Sequence, residues 1–280
     1  MIEVMDCIKL EVFEMNVPDF KFDGGFIMVP GEQFGDAVEW YKDKMGWQLL
    51  GKAHSPVGRK AFFKMPGFGQ ANLKSFESEI DHFTLEGYAE GNCRFCFQTA
   101  NLEQMLQYFR EQDVECSEPY EMPDGSQSAD IMAFGGVRLT LNEDRSLEGK
   151  FPDSRVIQYA EKPLWLGVSN LESSIQWYGR IMGWARSEID YTDRGFALMR
   201  DVRQEWDFAW LQEVSVESNP TKSNPGARLY FHIESQENFL KANEWLKSLG
   251  IEVSDIVGER WQGFHFYDPD GNRLNVWTYY

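Results

Sequence analysis

Five of eight residues recur half a chain apart, in WYKDKMGW at 40–47 and WYGRIMGW at 177–184, an offset of 137. The register returns further on, where Val114-Glu115-Cys116-Ser117 lines up with Ile251-Glu252-Val253-Ser254. Near the ends of the halves GGVRLTLN (135–142) matches DGNRLNVW (270–277) at an offset of 135. Three matches in one order at nearly one spacing mark a duplication, and a duplicated chain must adopt a fold that can be built twice. Residues 20–145 and 163–280 are therefore read as two related domains, 146–162 as a polar linker, and 1–19, which match nothing in the second half, as an N-terminal extension.

Each half has the same local grammar. In the second, Leu164–Val168 is a short apolar run that reads as a strand. Asn170 or Ser169 caps a helix in which Leu171, Ile175, Tyr178 and Met182 share a face, and Gly183 ends it. Strand-like runs follow at Phe196–Met199 and Phe208–Leu211. A second cycle opens with the strand Arg228–Ile233, continues with a helix over Phe239–Leu246, and closes with Arg273–Tyr279 after the turn DPDGN. In the first half Phe26–Val29, Arg94–Thr99 and Val137–Leu141 read as strands, and Phe34–Met45 and Leu102–Arg110 as helices.

Composition narrows the function classes. Hydrophobic residues make up 42% and charged residues 26%, enough to bury real cores. A net charge of −18 opposes binding to nucleic acid or to anionic membrane surfaces, and fits either simple solubility or attraction of a cationic ligand. The start carries no basic-then-apolar leader pattern and no run could span a bilayer, so the expected location is cytoplasmic. Four cysteines are too few for a disulfide scaffold. Cys93 and Cys96 form a CxxC inside a strand-like run, where side chains three apart point to opposite faces, so they read as buried thiols.

A strand–helix–strands module run twice per domain, with FHFYDPDGNRLNVW (264–277) and VSNLESSIQWYGRIMGW (168–184), resembles the glyoxalase / bleomycin-resistance / extradiol-dioxygenase (vicinal-oxygen-chelate) superfamily. The resemblance covers the chain from about residue 24. It implies an α+β fold of four βαβββ modules, forming two open, barrel-like mixed sheets with flanking helices. It also implies that metal-dependent members carry His, His and Glu on the first, fifth and last strands of a domain, facing a cleft. Two imidazoles and one carboxylate leave open positions where adjacent substrate oxygens can chelate. Here those positions fall at Pro163 or Leu164, Arg228 and Asn275 in the second half, and near Phe26, Arg94 and Thr140 in the first. None is a normal ligand, so no metal or other cofactor is expected.

The leading functional reading is thus a metal-free protein, similar to bleomycin-resistance proteins, that binds a small organic molecule in a β-sheet cleft. Candidate ligand-binding residues are the strand aromatics Trp210, Tyr230 and Trp277 and the repeated arginines Arg94, Arg138, Arg228 and Arg273. Thr140, Asn275 and His265 complete the set. Against this, the aromatics would be core and the arginines solvated strand ends. Two alternatives stand beside it. One is a metal-dependent glyoxalase- or dioxygenase-like enzyme with a non-standard ligand set such as His232, His265 and Glu213; the other is a non-catalytic interaction scaffold. His54 and His82, in polar stretches, read as surface residues. The domains are expected to pair within the chain, with a homodimer also open, and no nucleic-acid or membrane partner is expected.

Overall fold

The computed structural model describes residues 17–55, 57–77, 81–84, 91–152, 154–215 and 224–280. Cys7 and all but Val17–Asp19 of the expected extension lie outside the described residues.

Four modules follow one another. The first contains β1 (Lys21–Val29), α1 (Phe34–Trp40), β2 (Gln48–Ser55), β3 (Gly58–Lys64) and β4 (Gln70–Ser75). The second contains β5 (Cys93–Thr99), α2 (Leu102–Glu111), β6 (Tyr120–Glu121), β7 (Gln127–Ala133) and β8 (Val137–Glu143). The third runs through β9 (Gln158–Val168), α3 (Leu171–Met182), β10 (Trp184–Arg186), β11 (Phe196–Asp201) and β12 (Trp206–Glu213). The fourth has β13 (Ala227–His232), α4 (Gln236–Ser248), β14 (Trp261–Tyr267) and β15 (Arg273–Tyr279).

Two open mixed sheets result, and each takes one module from each half. The smaller has seven strands in the order β14-β15-β13-β1-β4-β3-β2, joining the first module to the fourth. The larger has eight, β10-β11-β12-β9-β5-β8-β7-β6, joining the third to the second. The joints are antiparallel: Phe26 sits opposite Arg228 across β1 and β13, and Trp165 opposite Arg94 across β9 and β5. β9 starts at Gln158, so the last residues of the segment read as linker belong to a strand.

Alternation along the strands sorts side chains onto two faces. Ile27, Phe95, Leu139, Leu164, Leu229 and Val276 join one continuous core that also takes the buried faces of the four helices. The opposite, concave faces carry two small clusters, one around Trp165 and Trp210 and one around Met28, Phe76 and Phe83. Cys93 belongs to the main core and Cys96 to the Trp165 cluster. Both thiols are buried, and burial pushes Cys96 up to about 12, so neither is poised for redox or metal chemistry.

The two recurrent motifs meet in space. Asp268 of the DPDGN turn accepts from the amides of Asp270 and Asn272 at 2.9 and 2.7 Å, closing the turn. It also accepts from the hydroxyl of Tyr178, the tyrosine of WYGRIMGW, at 2.6 Å. Burial raises the Asp268 carboxyl to about 6. Gly25 allows the tight β1–β13 joint: a Cβ there would lie 2.1 Å from the Arg228 carbonyl oxygen.

Candidate functional site

The concave faces of the two sheets carry equivalent side chains, and the duplication makes the equivalence explicit. Arg94 and Arg228 head the strands β5 and β13. Arg138 and Thr140 on β8 match Arg273 and Asn275 on β15 at the offset of 135. At that same offset Asp130 on β7 matches His265 on β14, and the registers agree, Asp130 pairing Thr140 and His265 pairing Asn275.

In the larger sheet this face is closed on itself. Asp130 accepts from Arg94 Nη1 at 2.6 Å, from Thr140 Oγ1 at 2.7 Å and from the Tyr120 hydroxyl at 2.8 Å, and Arg138 lies 4.0 Å away. Arg94 stacks its guanidinium 4.2 Å from the Trp165 ring centre. Burial, with the Asp130 charge alongside, raises the Tyr120 phenol above its ordinary range. Trp210 is fully buried between Tyr191 and Phe196, so it is a core residue here, as aromatics at strand spacing usually are.

The smaller sheet has the arginines without the carboxylate. Arg228 and Arg273 are 0% and 1% exposed, and neither makes an ion pair with any described residue. Both donate to one neutral acceptor, the His82 carbonyl, at 2.9 and 2.8 Å. Arg273 also donates through Nε to Asn275 at 3.0 Å and through Nη1 to Asn224 at 2.6 Å. Arg228 has no further bond: its Nε and Nη2, which form the side-on fork of a guanidinium, are buried without a partner. The Tyr230 hydroxyl is also buried and unpartnered. Burial and the neighbouring Arg273 press the Arg228 pKa down, and burial depresses Arg273 likewise.

Two residues of this face escaped the sequence reading. His82 is 4% exposed rather than a surface residue, because the short helical turn Asp81–Phe83 lies over the concave face. Its Nδ1 is 3.1 Å from His265 Nδ1, which lies 3.0 Å from Arg273 Nη2. A guanidinium can only donate, so His265 Nδ1 accepts. A neutral His82 then turns Nδ1–H toward it and leaves its buried Nε2 as an unpartnered acceptor. Burial and the surrounding cations hold His82 well below the ordinary histidine range. Lys74 on β4 is 1% exposed, donates to the Val57 carbonyl, and sits 3.8 Å from the Phe83 ring centre. Burial, followed by Lys60, brings it down to about 7. No repeat marks His82 or Lys74, but Asp130 was legible: it lies 135 before His265, within the register already used for the arginines.

The ten candidates therefore divide between two faces. Arg94, Arg138 and Thr140 converge on Asp130, whereas Arg228, Arg273, Asn275, His265 and Tyr230 share the smaller sheet. Trp277 sits toward its rim, donating to Asp23 at 3.1 Å beside His232. Arg94, Arg228 and Arg273 are not solvated strand ends, whereas Arg138 keeps over a third of its side chain exposed. Leu164 faces the main core, and the residue opposite Arg94 is Trp165, one position on.

These donor sets do not fit the family's metal. In the smaller sheet the three positions hold Phe26, Arg228 and Asn275, whose amide oxygen is taken by Arg273 and whose amide nitrogen donates to Leu229 O at 2.8 Å. In the larger they hold Trp165, Arg94 and Thr140. An aromatic ring offers no lone pair for coordination, and a buried guanidinium repels the cation that two imidazoles and a carboxylate would hold. The non-standard set fails as well: Glu213 lies on the larger sheet, accepting from the Leu171 amide, while His232 and His265 lie on the smaller. Among the described residues no three His, Cys, Asp or Glu side chains gather to hold a metal ion.

Known proteins share this architecture. A protein of Bacillus subtilis subsp. subtilis strain 168, assigned as a dioxygenase, superposes with a TM-score of 0.63 at 13% identity, over 94% of this chain and 86% of its own. Glyoxalase I of Zea mays superposes with a TM-score of 0.59 at 16% identity, over 92% of this chain and 93% of its own. At these identities the likeness is one of fold. No curated protein matches the sequence. Among the described residues no helix is long and apolar enough to cross a membrane. Residues 157–276 match the Glyoxalase/Bleomycin resistance protein/Dioxygenase superfamily. That match lies in the second half, and the two-domain glyoxalase fold extends across the whole chain.

Proposed function

We propose that this protein binds a small organic molecule on the concave face of the smaller sheet, without a resident metal. One observation carries the reading: the position where a metal-dependent relative would place a histidine holds Arg228, whose Nε and Nη2 are buried and unpartnered. Unmade bonds of this kind cost stability in the free protein, and a ligand that makes them recovers it. The Tyr230 hydroxyl and the His82 Nε2 acceptor add orienting groups, and Phe26, Phe76 and Phe83 supply an apolar wall. Few polar groups among apolar ones is the usual make-up of a small-molecule site. The binding unit is one chain, since both sheets are completed by modules of the same chain.

Metal content by mass spectrometry on protein purified without an affinity tag tests this, followed by titration with iron, manganese, nickel and zinc. The expected result is far less than one metal per chain and no thermal stabilisation by any of the four. One tightly held metal per chain would overturn the proposal and return attention to ring-cleavage or glyoxalase chemistry.

A further inference from the structure

We infer that the smaller sheet takes an organic carboxylate, and that the equivalent face of the larger sheet is closed to such a ligand because Asp130 already fills it. This rests on the binding proposed above and adds the chemical class and the stoichiometry.

The duplication supplies an internal control. Both faces present two arginines at matching strand positions, aromatic rings against each heading guanidinium (Trp165 for Arg94, Phe76 at 5.2 Å and Phe83 at 5.9 Å for Arg228) and a polar residue at Thr140 or Asn275. They differ at one chemically decisive position. In the larger sheet it is Asp130, whose carboxylate holds Arg94 at 2.6 Å. In the smaller it is His265, which brings no negative charge and instead accepts from Arg273 at 3.0 Å. Among the described residues the anion that satisfies one face has no counterpart on the other, where a neutral carbonyl is shared between two cations. Lys74 adds a third buried basic side chain.

Geometry selects the carboxylate. The unpartnered Nε and Nη2 of Arg228 are coplanar parallel donors, matched by the two oxygens of a planar carboxylate, as side-chain carboxylates match arginine elsewhere. Tyr230 offers a further donor. Phe26, Phe76 and Phe83 lie alongside, so the body of the ligand is apolar. The overall charge of −18 makes this basic, buried patch an exception within the molecule and not a consequence of composition.

Calorimetry on the full chain with acetate, benzoate, phenylphosphonate and benzamide reads the class directly. Benzoate should bind once per chain, with benzamide weaker by at least roughly ten-fold, since it lacks the charge that strengthens a hydrogen bond to arginine. R228Q should lose a comparable factor. Two further variants read the internal comparison. H265D should place a carboxylate where Asp130 stands in the other sheet, raise the thermal midpoint above both wild type and H265N, and abolish benzoate binding. D130H should open a second benzoate site; should it fail to fold, the H265D and H265N pair still decides. The inference is overturned if H265D is no more stable than H265N, or if neither acetate nor benzoate binds. Equal binding of benzamide sinks the carboxylate class while leaving small-molecule binding intact, and binding of phenylphosphonate alone reassigns the site away from carboxylates. A tightly held metal would instead strike the underlying proposal.

Discussion

The two sheets share one plan of strands and helices and treat buried charge in opposite ways. The larger surrounds one carboxylate with Arg94, Thr140 and Tyr120, so its polar groups answer one another. The smaller keeps Arg228 and Arg273 under cover with only neutral carbonyls and amides for company among the described residues, and Lys74 beside them with Glu77 as its one opposing charge. Duplication produces two equal clefts; a single exchange between aspartate and histidine is enough to turn one into structure and leave the other in need of an anion. Buried cations without a counter-charge are costly, and their persistence points to a ligand that relieves the cost.

The largest effect expected from this contrast is on pH dependence. Lys74 has a folded pKa of about 7 against an ordinary 10.5, so between these values the unfolded chain binds the extra proton. Stability should therefore rise with pH from about 7 to about 10.5, by on the order of 5 kcal/mol in all. Burial is the main cause; among the neighbouring charges Lys60 and Arg228 add to the shift and Glu77 alone opposes it. Urea denaturation across that range should show the slope in wild type and a flatter profile in K74M. An equal slope in K74M would mean that the lysine is not held neutral.

Next in size is the carboxylate of the larger sheet. D130N should cost about 3 kcal/mol, because it strands Arg94 and weakens bonds from Thr140 and Tyr120. The figure sits at the low end for a buried pair, as both partners keep some solvent contact. R228M should do the reverse in the smaller sheet, leaving stability unchanged or raising it by about 1–2 kcal/mol, since it removes an uncompensated charge. Equal losses from the two substitutions, measured by chemical denaturation, would erase the distinction between the sheets.

What the sequence made legible was local. Asn170, the apolar spacing of Leu171–Met182 and Gly183 placed α3 at its observed bounds, with Asn170 accepting from the Ser173 amide and Gly183 left-handed at φ 71°. Alternation in Arg273–Tyr279 placed β15 equally well. No strand was assigned between Met45 and Arg94, where β2–β4 lie. The run Gln48–Ser55 mixes polar and apolar residues at the sheet edge and carries no clean period. The joining of the first module to the fourth was also out of reach, because register between distant strands is set by whole faces and not by local pattern. The same limit governed the site: arginines repeated at nearly one offset were visible, but whether a carboxylate met them depended on which face Asp130 took.

The smallest contrast lies in the helix starts and tests whether local satisfaction follows the same division. Both helices of the larger sheet are capped by asparagine: Asn101 accepts from the Gln104 amide and Asn170 from the Ser173 amide, each at 2.9 Å. In the smaller sheet α1 has no side-chain cap, and α4 is capped by Ser235 at 3.3 Å with a left-handed φ of 70°. N101A and N170A should each cost about 1 kcal/mol. Ser235 gains little from a long cap bond and carries backbone strain that glycine would not, while glycine caps nearly as well as serine. S235G should therefore be neutral or stabilise by up to about 1 kcal/mol, opposite in sign to the asparagine variants. Thermal denaturation of the three variants side by side decides it: a loss in S235G as large as in N170A would show that the smaller sheet is no less locally satisfied, and would confine the asymmetry to the charged face.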